Sequence, residues 1–142
     1  MFRSLSRASL LATVVLFAAG CGSSEPKPVE VQGKLVLPAK LKLLESDSIN
    51  ITFSPDGGGK GSGSATMTGK ESSFTAKVPP GKYKVSVNIQ GYPGEKGSEA
   101  HNREISQSVG MYDPSSSSLR YEVTDGSQAI TIDLAKGTVS KN

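Results

Sequence analysis

The feature that most constrains this chain is a period-two alternation of apolar and polar residues, broken at short intervals by turn chemistry. Val29, Val31, Leu35 and Leu37 fall on one side of a first run, with Gly33 between them. Ile49, Ile51 and Phe53 mark a second run, and Ala65 and Met67 a weaker third. Phe74, Ala76 and Val78 form a fourth, and Tyr83, Val85, Val87 and Ile89 the strongest, a fifth. Leu119, Tyr121 and Val123, then Ile130, Ile132 and Leu134, complete the set. Pro55-Asp56-Gly57, Gly69-Lys70-Glu71, Pro79-Pro80-Gly81 and Asp125-Gly126 separate the runs. Seven short strands, each apolar on one face, must bury those faces against one another. The pattern predicts an all-β fold, a seven-stranded antiparallel β-sandwich over residues 29–136, with 137–142 as a tail. The chain is 35% hydrophobic and 6% aromatic, without Trp, so the expected core is aliphatic.

Three stretches depart from the alternation. Val36 breaks the first run and reads as a bulge or a strand near its end. Leu41, Leu43 and Leu44 fit neither strand nor helix spacing and read as a loop plugging one end of the sandwich. The 91–118 region is the longest without strand character. Within it, the spacing predicts a short helix over 98–109: Ser98 as cap, Glu99 at the positive end, and His101, Ile105 and Val109 on one face. Gly110 is expected to end it. Ser115 to Ser118 reads as an exposed loop.

Residues 1–20 read as an export signal. Arg3 and Arg7 precede a 12-residue apolar run, Ala8 to Ala19, far short of the roughly 20 residues that span a bilayer. Its exit, Ala18-Ala19-Gly20-Cys21, resembles the lipobox of bacterial lipoproteins, although Ala18 stands where that motif usually has Leu. The resemblance implies cleavage before Cys21 and attachment of acyl lipid (palmitate and its like) to it. The protein would then be exported and held on a membrane of the cell envelope by lipid on Cys21. Gly22, where an Asp often signals inner-membrane retention, favours the outer membrane. Residues 21–28 read as the lipidated terminus and a flexible tether. Removal of residues 1–20 leaves 14 basic against 13 acidic residues. With no basic patch interleaved with aromatics, nucleic acid is not an expected partner.

A second resemblance lies in the strands. Val31-Gln32-Gly33-Lys34-Leu35 resembles the VxGxV opening of carboxypeptidase regulatory-like domains. Ile51-Thr52-Phe53-Ser54-Pro55 is similar to their VTFxP strand, and Ser72-Ser73-Phe74-Thr75 to their GxFxL strand. Val78-Pro79-Pro80-Gly81-Lys82-Tyr83-Lys84-Val85 is close to VPPGxYxV. The resemblance covers roughly Val29 to Leu134 and implies a transthyretin-like (prealbumin-like) sandwich with a helix after the fifth strand. Ala39 to Asp47, without Gly, departs from the family's first connection. In the signature element, two prolines and Gly81 turn the backbone, and Tyr83 is expected inside with its hydroxyl on a nearby backbone group.

Catalytic and metal patterns are sparse. One Cys and one His exclude an internal disulfide, a CxxC pair and any site needing two imidazoles. Asp56 to Ser64 fails the GxxxxGK[ST] phosphate loop because Gly61 follows Lys60; it reads as a hairpin connection. His101 lacks a GxSxG partner and reads as an exposed helix residue. Asp47, Asp56, Asp113 and Asp125 lack calcium-loop spacing and read as turn residues. Asn50-Ile51-Thr52 matches a glycosylation sequon but falls inside a strand. The 5-hydroxyisourate hydrolases of transthyretin-like fold use several His and Arg residues and end in YRGS, while this chain ends Val139-Ser140-Lys141-Asn142. The zinc carboxypeptidases need more than one His. No cofactor, metal or catalytic residue is therefore assigned. Tyr92 and Tyr112, in the long loop region, are the candidate ligand contacts, able to stack on glycan or peptide or else to fold back over the core. The expectation is a non-enzymatic structural or interaction module; the alternative is a glycan- or peptide-binding module using 91–118, with a glycan or another envelope protein as partner.

Overall fold

A computed structural model describes residues 26–57, 61–94 and 97–142. The export signal and Cys21 lie outside the described residues, as do the centre of the glycine-rich connection and two residues before the helix. The chain forms β1 (Val29–Val36), β2 (Ser48–Pro55), β3 (Gly63–Thr68), β4 (Ser73–Val78) and β5 (Gly81–Gln90). Helix α1 (Ser98–Val109) and a 3-10 turn (Gly110–Tyr112) follow, then β6 (Arg120–Val123), β7 (Gln128–Asp133) and β8 (Thr138–Lys141). They make two four-stranded sheets, ordered β4-β1-β7-β8 and β3-β2-β5-β6. Each strand that carries the alternation buries one side of it: Val31, Ile51, Phe53, Val78, Val85, Val87, Ile130 and Ile132 are all fully enclosed. The all-β sandwich follows from that burial. Nonpolar surface leaving water contributes roughly 25 cal/mol per Å², and these half-apolar ribbons can remove it only by facing each other.

The sandwich differs from the expected one in two respects. The described residues form eight strands: residues 138–141 of the expected tail pair antiparallel with β7, Ile132 opposite Val139. And the pairing is not wholly antiparallel, because β1 runs parallel to β7, with Leu35 opposite Ile132. All other strand pairs are antiparallel. Val36 ends β1 half-buried. Of the three loop leucines, Leu41 is buried and Leu43 packs against the core, whereas Leu44 is exposed. Tyr83 is inside, its hydroxyl donating to the Pro79 carbonyl at 2.7 Å and its ring edge-on to Phe53. That burial raises the Tyr83 phenol's pKa.

Candidate functional site

The candidate site arises where the two edges of β5 stop matching. On one side β5 pairs with β2 along its length, from Lys84–Ser54 and Tyr83–Pro55 to Gln90–Ser48. On the other, β6 accompanies it only over Gly81 to Lys84, and the Val85 N–H is the next to be taken, by the Leu119 carbonyl. Beyond that point α1 and the 3-10 turn replace a strand, a common way of covering a sheet edge. Ile105 and Val109, one turn apart, bury against the core. The Gly91 N–H donates to Asn102 Oδ1 at 3.0 Å, so a helix side chain takes the place of a strand carbonyl. A Cβ on Gly91 would lie 2.3 Å from that oxygen and 3.3 Å from His101 Cδ2, so any side chain at residue 91 would displace Asn102 from this bond.

A second tie holds the same turn of α1. His101 Nε2 lies 2.8 Å from Asp47 Oδ2, and Asp47 is fully enclosed. The Asp47 carboxyl also accepts the Leu44 N–H at 2.7 Å, while its carbonyl accepts the Gly69 N–H at 2.8 Å. Asp47 is thus a turn residue, as expected, and in addition a buried anchor. Its Oδ1 has no partner among the described residues. His101 is not the exposed helix residue that the sequence suggests: only 16% of its side chain meets solvent.

Between α1 and β5 lies a groove of about 440 Å³. Its walls carry Asn88 and Gln90 from β5, Asn102 and Ser106 from successive turns of α1, and Asp113 from beyond the 3-10 turn. Ile89, Ile105 and Val109, all buried in the core, close its floor. Asn88 Nδ2 donates to Asp113 Oδ1 at 3.0 Å, which fixes one end. Among the described residues no group of three His, Cys, Asp or Glu side chains is placed to hold a metal ion.

The structure separates the two candidate tyrosines. Tyr92 is 61% exposed and sits between Gly91 and Pro93, both of which line the groove. Tyr112 is buried, its hydroxyl donating to the Leu134 carbonyl at 2.8 Å. Its ring therefore belongs to the core and offers no stacking face, the second of the two outcomes open to it. Ser117, inside the expected exposed serine run, is also buried, its hydroxyl donating to the Val85 carbonyl. Asp56 pairs with Arg120 at 2.7 Å on the surface. Sequence reasoning missed Asn88, Asn102 and Ser106. A polar residue on a strand's outer face or a helix's open face gives no local signal of a groove; only the unequal reach of β6 along β5 brings them together. Comparison of the chain with family models, with curated proteins and with solved structures yields no match.

Proposed function

We propose that this protein is an exported lipoprotein of a bacterial envelope, held to a membrane by acyl lipid on Cys21, and that its sandwich is a non-enzymatic structural or interaction module. The observation that carries the reading is the order of its N-terminal residues: a basic head, a short apolar run, then Ala18-Ala19-Gly20-Cys21. The first strand begins at Val29, so the eight-residue step from Cys21 spans at most about 28 Å and keeps the sandwich near the bilayer surface. A transthyretin-like, carboxypeptidase regulatory-like identity is part of the proposal. It is supported by the VPPGKYKV element and by a helix in the place that this resemblance implies, after the fifth strand. The groove beside α1 favours a ligand-binding module using the 91–118 region as the second reading.

The test is fractionation. The wild-type chain is expected in the membrane fraction, with an acyl-modified N-terminal peptide by mass spectrometry. Cys21→Ala is expected in the aqueous fraction. Retention of Cys21→Ala on membranes, or an unmodified Cys21 in the wild type, overturns the anchor.

A further inference from the structure

We infer that the groove between α1 and β5 binds a neutral saccharide. The inference rests on the second reading above, that the 91–118 region is a ligand-binding surface, and adds the class of ligand. Three properties of the groove select that class. The first is its polar chemistry. Asn88, Gln90, Asn102 and Ser106 each offer both donor and acceptor capacity without charge, which is what sugar hydroxyls require. Among the described residues that line the groove, Asp113 alone is charged, and one of its oxygens is already engaged by Asn88. An anionic ligand would meet that carboxylate with no cation among the described lining residues to offset it.

The second property is shape. A volume of about 440 Å³ suits a short oligosaccharide. Ile105 and Val109 close its floor from the core side, and Tyr92, 61% exposed and flanked in sequence by two lining residues, is an aromatic side chain free to meet a ligand there. The third property disfavours an extended peptide. Strand addition needs a run of accessible main-chain groups, yet on the stretch of β5 that β6 leaves uncovered, Val87 is fully enclosed and Ile89 is 8% exposed. The groove is therefore read by side chains, from both of its walls at once.

The experiment is an NMR titration of the full chain in detergent, with tetra-N-acetylchitotetraose and maltotetraose as neutral probes and an oligogalacturonate as the anionic one. At least one neutral probe is expected to shift the Gly91 and Gly110 amides, and the anionic probe to leave them in place. Ser106→Ala removes a hydroxyl that bonds to none of the described residues and should weaken binding about fivefold. Tyr92→Ala should weaken it by a similar factor. Ser106→Trp fills the groove from an exposed position and should abolish binding with an unchanged far-UV spectrum. Thr75→Ala, on the other sheet, should change nothing. The inference is overturned if neither neutral probe moves those amides at about 10 mM, a concentration well above typical weak affinities. It is equally overturned if Ser106→Trp binds like wild type, or if the anionic probe binds there as well. Binding of an extended peptide in place of either sugar overturns the saccharide class and leaves the ligand-binding surface standing. The membrane anchor is read separately, by Cys21→Ala fractionation.

Discussion

Gly33 is set by its cross-strand neighbour. It faces inward on β1, directly opposite Phe74 on β4, and a Cβ added to it would lie 1.9 Å from the Phe74 ring. The glycine is required by the aromatic that covers it, not by backbone conformation. Gly33→Ala is expected to lower stability by about 1–3 kcal/mol, the usual range for overpacking a filled core. Phe74→Leu should recover part of that loss in the double variant, because the two side chains then share the space. Urea unfolding of the four chains measures this as a coupling, and strictly additive losses would show that ring and glycine do not compete. A second residue-scale expectation concerns Glu71. Its carboxylate accepts the Thr68 N–H at 2.7 Å and the Thr68 hydroxyl at 3.1 Å, and these bonds hold its pKa below the ordinary glutamate value. A lowered folded pKa stabilises the fold above the unfolded-state value, and that contribution disappears as pH falls through the folded one. The stability difference between wild type and Glu71→Gln should therefore narrow as pH falls below about 4.3, the unperturbed glutamate value. A difference that stays constant down to full protonation would deny the carboxylate that role.

At the scale of elements, α1 is the informative case. Its span, 98–109, is legible because His101, Ile105 and Val109 recur at helical spacing, and two of them are buried. Its start was not. Gly97, with a φ of 99°, occupies the cap position without a side-chain bond; Ser98 is already helical, because the left-handed turn into the helix is open to glycine and strained for serine. Its end falls where expected, at Gly110, but that cap is right-handed, so the chain runs on into the 3-10 turn that carries Tyr112 into the core. β8 was invisible for another reason. Thr138 to Lys141 contains one apolar residue, Val139, and an edge strand takes its order from the neighbour it pairs with rather than from its own pattern. The parallel β1–β7 pair joins residues almost a hundred positions apart, which no local periodicity reports. The bond between His101 and Asp47 was equally hidden, since neither residue advertises a partner 54 positions away. That bond yields a prediction. His101→Ala leaves a fully enclosed carboxyl group without its one side-chain hydrogen-bond partner among the described residues, and such a loss costs about 1–3 kcal/mol. Amide hydrogen exchange should quicken first in α1 and in the 44–47 turn. Equal acceleration throughout both sheets would mean that the bond does not act locally.

Across the whole molecule, the decisive contact is between the two ends of the folded region. β1 and β7 are the central strands of one sheet, so neither sheet-forming half of the chain can complete that layer alone. The opposite sheet, built around β2 and β5, has its inward residues Phe53 and Val85 in the same core as Ile132. A side chain at this junction should report on both layers together. Ile132 is fully enclosed, and Ile132→Ala should cost about 2–5 kcal/mol through lost burial and the cavity left behind. That is a large part of the roughly 5–15 kcal/mol that holds a domain of this size together. The molecule has no Trp and four Tyr residues, of which Tyr83 lies in the second sheet and Tyr112 packs against the end of β7 through Leu134. Their near-ultraviolet signal therefore reads packing, while far-ultraviolet circular dichroism reads the strands. If the sandwich is one cooperative unit, both signals should shift to lower urea by the same amount in Ile132→Ala and should remain coincident. A change below about 0.5 kcal/mol, the range of surface substitutions, would put Ile132 outside the shared core. A split between the two signals would mean that the sheets unfold separately, and that the β1–β7 pairing closes one layer without coupling it to the other.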